Sequence, residues 1–285
     1  MDDIEKPKKK PPVKFKDRSI ISFDQQINNE PDTIPKIPFT MMINSQKGGG
    51  KSTLIKNLIL NPKMFYQKFN RGIWISPTST LDEKIRDLDH YNCFVINTPL
   101  NTAILKEKTK SLPKDQAEIL KRNFIEDQSI PEWEWKESMC ISEFTNIIRE
   151  QEEIIKKYGK KLADNILIVL DDLAGDSKFY KSDALRKFIF NSRHRKVSII
   201  MTSQSYHSIP KAIRLNNSQL ILFETGSEKE MKTIYEENSC RINFKEFNHI
   251  FQICTDEAYG FIVINYQNLK TFRFQKMFNE FFVLD

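Results

Sequence analysis

The residues best suited to chemistry lie in one short stretch, Ser45-Gln46-Lys47-Gly48-Gly49-Gly50-Lys51-Ser52-Thr53. It follows an apolar run and precedes a segment with helical spacing, and it matches G-x-x-x-x-G-K-S/T with Ser45 in place of the first glycine. Glycine lets successive backbone N–H groups turn toward one point without a Cβ in the way, and the positive end of the following helix faces that same point. The spacing predicts that Gln46, Lys47, Gly48, Gly49, Gly50, Lys51, Ser52 and Thr53 cradle the phosphates of a nucleotide. Lys51 would reach the β- and γ-phosphates, and the Ser52 hydroxyl would help hold Mg2+. ATP with Mg2+ is the expected ligand pair.

A second element is Ile166-Leu167-Ile168-Val169-Leu170-Asp171-Asp172, an apolar run that ends in two acids. A carboxylate at the C-terminal end of a buried strand faces the crevice where open α/β sheets bind ligands. Asp171 is expected to hold Mg2+ through water, and Asp172 to orient or deprotonate an attacking water. Helix capping is the alternative for Asp172. Gln204 ends the next apolar run, VSIIMTSQ, where a polar side chain can sense the γ-phosphate or simply make a turn. Arg193, Arg195 and Arg214 flank that run. Phosphoryl transfer needs positive charge at the γ-phosphate, which an arginine from a neighbouring subunit can supply; a charge at a helix C-terminus is the plainer reading. Spacing does not choose among the three arginines.

These groups need a scaffold that brings strand ends together. Residues 39–44, 72–76, 93–96, 165–170, 197–202, 219–223 and 261–266 are short apolar runs with strand character, the last expected to close the sheet. Helical spacing covers 53–60, 142–159, 182–194, 227–238 and 245–254. Strands alternating with helices, with runs apolar on both faces, predict an α/β fold of the P-loop NTPase type (RecA/ASCE-like). This is a three-layer sandwich around a mostly parallel sheet. Residues 98–141 are polar and mostly helical in pattern, and read as an insertion between core strands.

Composition sets the frame. The chain has 285 residues, 39% hydrophobic and 29% charged, which suits one α/β domain with extensions. No apolar run approaches the roughly 20 residues needed to cross a bilayer, and the first residues show no signal-peptide pattern. An intracellular protein is expected. Cys93, Cys140, Cys240 and Cys254 are widely spaced, so buried free thiols are expected rather than disulfides or a zinc site. The net charge of +6 is concentrated in residues 6–18, with seven basic residues and one acid, which leaves 37 of each elsewhere. Residues 1–36 read as a basic, flexible tail, and 37–285 as the P-loop domain.

The order and wording of the segments resemble the poxvirus-type genome-packaging ATPases of large DNA viruses and virophages, within the FtsK/HerA superfamily. The resemblance rests on residues 41–59, 72–85, 166–173 and 192–218, with Ser76-Pro77-Thr78 and Gln204 the more telling pieces. It covers about residues 38–225. It implies an ATP-driven motor for packaging double-stranded DNA into viral capsids in the host cytoplasm or viral factory. It further implies capsid-protein partners, a ring of identical subunits and an arginine reaching the neighbour's ATP. Lys51, Ser52, Asp171, Asp172 and Gln204 carry over as the functional positions. Two other readings compete. A ParA-like ATPase would place its signature lysine five residues before Lys51, whereas Lys47 lies four before it. A nucleotide-gated scaffold would have no need of Asp172.

Overall fold

The computed structural model describes residues 20–22, 32–77, 83–95, 98–126, 132–173, 179–239 and 242–284. The basic run at 6–18, Thr78, Ile96 and Cys240 lie outside the described residues. The first elements are β1 (Ile20–Ser22), β2 (Thr40–Asn44), α1 (Lys51–Leu60), β3 (Arg71–Ile75) and α2 (Glu83–Arg86). Then come α3 (Pro99–Thr109), α4 (Lys114–Glu126), β4 (Trp133–Lys136), α5 (Ile141–Tyr158), β5 (Ile166–Leu170) and α6 (Asp183–Ser192). After these follow β6 (Val197–Ser203), α7 (Lys211–Arg214), β7 (Gln219–Phe223), α8 (Glu228–Asn238) and α9 (Phe244–Thr255). The last are β8 (Phe261–Asn265), β9 (Phe274–Lys276) and β10 (Glu280–Phe282).

The strands form one sheet in the order β1-β10-β9-β8-β7-β2-β6-β5-β3-β4. From β7 to β4 the pairings are parallel, and from β7 to β1 they are antiparallel. The central strands are apolar on both faces because both faces are covered. Side chains of a strand alternate between faces, and the two cores divide accordingly. Met42, Ile168, Leu170, Ile199 and Met201 pack with helices α5, α6, α8 and α9. Met41, Ile43, Leu167, Val169 and Ile200 pack with Ile55, Leu58 and Ile59 of α1. This is the three-layer α/β sandwich around a mostly parallel sheet expected from the sequence. Among the described residues no helix is long and apolar enough to cross a membrane.

Register decides what meets at the C-terminal edge of the sheet. Asn44 of β2 pairs with Ser203 of β6, and Leu170 of β5 pairs with Met201. The residues just beyond, Ser45, Asp171 and Gln204, therefore leave the sheet at neighbouring points. Asp171 continues the parity of Leu167 and Val169, and Thr202 that of Ile200, so both point to the layer that contains α1.

Several expectations are corrected. Of the run at 93–96, the described residues 93–95 hold an isolated bridge between Phe94 and Phe69 in place of a strand. The polar stretch 98–141 holds α3 and α4 but also β4, an edge strand whose Glu134 pairs with Arg71 of β3. β8 does not close the sheet, since β9 and β10 follow it and β1 covers β10. β1 thus lies within the segment read as a tail. Asp32 and Thr33 of that segment also dock. Their carbonyls accept hydrogen bonds from the side-chain amides of Asn265 and Gln219, at 2.9 and 3.0 Å. Helix α5 starts at Ile141, and the backbone N–H of Cys140 donates to Glu143 at 2.7 Å. Cys93 and Cys254 are buried thiols, whereas Cys140 is exposed.

Candidate active site

The loop after β2 has the backbone its sequence demands. Gly48 and Gly50 take left-handed φ angles of 79° and 95°, which side chains with a Cβ rarely adopt. Gly49 is required for a different reason. A Cβ there would lie 2.0 Å from the Oγ of Ser45, so the serine that replaces the usual first glycine fits only because residue 49 has no side chain. Gly50 is the residue before α1, and Lys51, Ser52 and Thr53 form that helix's first turn. Lys51 is buried, and its ammonium donates to the carbonyls of Ser45 at 2.7 Å and Gln46 at 3.0 Å. Burial lowers its pKa below the usual lysine value, while Asp172 and Asp171 act in the opposite direction. Gln46 and Lys47 are exposed at the mouth of the loop.

The two acids are held by a residue the sequence reading did not single out. The hydroxyl of Thr202 donates to Asp171 Oδ1 at 2.7 Å, and Thr202 Oγ1 accepts the backbone N–H of Asp172 at 2.9 Å. Asp172 Oδ2 in turn accepts a hydrogen bond from Gln204 Nε2 at 2.6 Å. The four residues form one connected unit across the ends of β5 and β6, with the backbone N–H of Asp172 as one of its links. Burial raises the pKa of Asp171, the Thr202 hydrogen bond lowers it, and the neighbouring Asp172 charge raises it again. Asp172 is exposed and adopts φ 54°, an uncommon region for a residue with a Cβ. Such outliers concentrate at functional sites, where surrounding contacts hold them in place. Helix α6 takes its cap from Ser182, whose side chain accepts from Leu185 N.

The three arginines lie elsewhere: no hydrogen bond among the described residues joins Arg193, Arg195 or Arg214 to the loop after β2. Arg193 and Arg195 form a 3-10 turn immediately before β6, at the opposite edge of the sheet from Gln204. Seven residues of β6 separate the two edges, roughly 20 Å at strand rise. Arg195 is paired with Glu152. Arg193 makes long contacts of 3.4 Å with Ser218 and Asn216. Arg214 is a buried strut. It makes a bidentate pair with Glu237 at 2.7 and 3.0 Å, donates to the Ile209 carbonyl, and lies 4.5 Å above the Tyr206 ring. The carboxyl of Glu237 loses solvation in this pair, and its hydrogen bonds to Arg214 and Tyr206 hold it below the usual carboxylate range. Arg214→Ala should therefore act on stability, at a cost of about 3–5 kcal/mol for stranding a buried carboxylate. Thermal unfolding measures this, and an unchanged melting temperature with lost turnover would instead make Arg214 catalytic.

With this geometry in place, comparison with known proteins identifies a family resemblance. The family model described as "Poxvirus A32 protein" matches residues 140–271. The resemblance is to the poxvirus A32 family. The A32-like region contains β5, β6, both acids, Thr202, Gln204 and the three arginines, while the phosphate loop lies before it. A curated relative, Uncharacterized protein 075L of Invertebrate iridescent virus 6, is 33% identical over 93 residues. That match takes in 30% of this chain and 36% of the relative's length, so the two align over only part of each. The genome packaging NTPase B204 from Sulfolobus turreted icosahedral virus 2, solved with AMP, is similar at 16% identity and a TM-score of 0.49. The match covers 81% of this chain and 93% of that one. The DNA-packaging ATPase B204 from Sulfolobus Turreted Icosahedral Virus is similar at 14% identity with the same TM-score, over 81% and 94%.

Proposed function

We propose that this chain hydrolyses ATP and that it is the motor that drives viral double-stranded DNA into a capsid. The observation that carries the ATPase reading is the hydrogen-bonded unit Asp171–Thr202–Asp172–Gln204, at the sheet edge where the phosphate loop and Lys51 also emerge. A pure nucleotide-binding scaffold needs the loop but not a second, exposed carboxylate held by a sensor amide. The motor reading rests on the A32 resemblance over residues 140–271.

The residues divide the work by position. The loop N–H groups from Gln46 to Thr53 and the start of α1 bind the phosphates. Lys51 exchanges its contacts with the Ser45 and Gln46 carbonyls for the β- and γ-phosphate oxygens, and in a desolvated site its charge counts for more than in water. Asp172 accepts a proton from water as the water oxygen bonds to the γ-phosphorus. The bond from that phosphorus to the β–γ bridging oxygen breaks, and its electron pair leaves with ADP. Gln204 keeps Asp172 aimed and reports whether the γ-phosphate is present. Ser52 and Asp171 suit Mg2+, which favours hard oxygen donors and needs only one or two protein ligands beside phosphate and water. The Thr202 bond leaves the second oxygen of Asp171 to serve that role. When bound, Mg2+ neutralises charge on the β- and γ-oxygens.

Motor action adds requirements that one chain does not meet. Among the described residues no arginine is hydrogen-bonded to the loop after β2, and in this reading a ring of identical subunits completes the site. Arg193 or Arg195, at the far edge of the sheet, is then the residue offered to a neighbour. Residues 37–285 form the ATPase domain, the basic run at 6–18 adds affinity for polyanions, capsid proteins are partners, and the working place is the host cytoplasm or viral factory. Steady-state ATP turnover with and without long double-stranded DNA tests this reading, with the oligomeric state checked in parallel. Assembled protein should turn over faster with DNA. Equal rates in assembled protein would remove the motor and leave a protein-directed switch.

A further inference from the structure

The polarity of the bound nucleotide can be read from the order of strands at the sheet edge. The acids follow β5 and Gln204 follows β6, both on one side of the phosphate loop. The γ-phosphate therefore points toward β5. The α-phosphate and everything attached to it must run the other way, over Gly50 and Thr53, toward β7 and β8. A cavity of about 480 Å³ lies there, lined by Gly50, Thr53, Asn57, Phe223, Tyr259 and Phe261.

Tyr259 is the unexplained residue in that cavity. It is 70% exposed, an unusual position for a large aromatic side chain, and among the described residues no hydrogen bond or ring contact accounts for it. Its φ of 63° is uncommon for a residue with a Cβ. The turn that carries it is tight. The backbone N–H of Gly260 donates to the Glu257 carbonyl at 2.8 Å, and a Cβ on Gly260 would lie 2.5 Å from the Cys254 carbonyl. The backbone that carries the exposed ring is thus constrained. It also borders the phosphate loop directly, since a Cβ on Gly50 would lie 3.3 Å from the Tyr259 ring.

Resting on the ATPase reading, we propose that Tyr259 is the platform on which the purine base of the nucleotide stacks. Phe223 and Phe261 form the apolar floor of this nucleoside subsite, and the Asn57 amide is placed to meet a polar edge of the base or ribose. Nucleoside sites of this kind combine apolar and aromatic walls with a few polar groups.

The test compares a nucleotide with its phosphates alone. Binding of the non-hydrolysable analogue AMPPCP and of inorganic tripolyphosphate, each with Mg2+, is measured by calorimetry on the full chain, Tyr259→Ala and Tyr259→Phe. Tyr259→Ala should weaken AMPPCP roughly tenfold, the size of a lost base–aromatic stack. Tripolyphosphate should bind that variant as it binds the unaltered chain, and Tyr259→Phe should keep AMPPCP affinity. Unchanged AMPPCP binding by Tyr259→Ala overturns the platform. Equal weakening of both ligands also overturns it, because Tyr259 would then only support the Gly50 backbone. If the unaltered chain binds neither ligand, the ATPase reading fails and the subsite fails with it.

Discussion

Asp172→Asn is expected to bind ATP as the unaltered chain does and to hydrolyse it about 10²–10⁴-fold more slowly, the usual contribution of a positioned general base. The substitution is unusually clean at this position. Asparagine tolerates the left-handed backbone that Asp172 adopts at φ 54°, so the turn after β5 should survive. The backbone N–H of residue 172 still reaches Thr202, and an asparagine oxygen can still accept from Gln204. What disappears is the ability to take up a proton, together with one negative charge beside Lys51. Losing that charge also removes one of the two carboxylates that favour the charged form of the lysine. Nucleotide affinity measured beside phosphate release separates the two roles. Near-normal release by the variant would leave Asp172 as a structural turn residue.

Lys51→Ala should be the most damaging change at the phosphate loop. Its ammonium is buried against two loop carbonyls, and the charges of Asp172 and Asp171 favour its charged form, so phosphate binding exchanges one set of oxygen partners for another. In a site of lowered dielectric, loss of a charged donor to the transferring group is expected to cost on the order of 10²–10³ in turnover. Affinity should fall too, because the same charge contacts the bound triphosphate before reaction. The loop itself should persist, since the Gln46 carbonyl retains the N–H of Gly49 at 3.1 Å. Lys51→Arg is not expected to restore function, because a planar fork cannot occupy the place of a compact ammonium. Calorimetric titration with AMPPCP, followed by a turnover assay, checks both parts. Wild-type affinity in Lys51→Ala would argue that the loop does not hold phosphate.

The parts of the site legible in the sequence were those whose chemistry is unusual for their position. Three glycines before a lysine, or two acids closing an apolar run, have few structural explanations, and the buried runs at 165–170, 197–202 and 219–223 placed them at strand ends. Thr202 was not legible. Inside Val197–Ser203 a threonine reads as one more β-branched strand residue, and only the register with β5 shows its hydroxyl between two aspartates. Tyr259 lies in a turn without periodicity, so nothing in the sequence tied it to Gly50. The arginines stand between these cases. Their charge was visible, but whether it faced a ligand or a carboxylate such as Glu237 or Glu152 depends on tertiary contacts. For the fold, apolar runs located strands without giving their direction, so the antiparallel β8 was not foreseen. Strands as short as β1, β4, β9 and β10 carry too few residues for their alternation to stand out.

The central claim is that the phosphate loop and the acid pair form one working hydrolase. The most direct measurement is release of inorganic phosphate from ATP with Mg2+ by the full chain, run beside Asp172→Asn under identical conditions. Sustained release by the unaltered chain, with almost none from a variant that still binds nucleotide, is the predicted result. Equal release from both, or nucleotide binding by the unaltered chain with no release under any condition that assembles it, would contradict the claim.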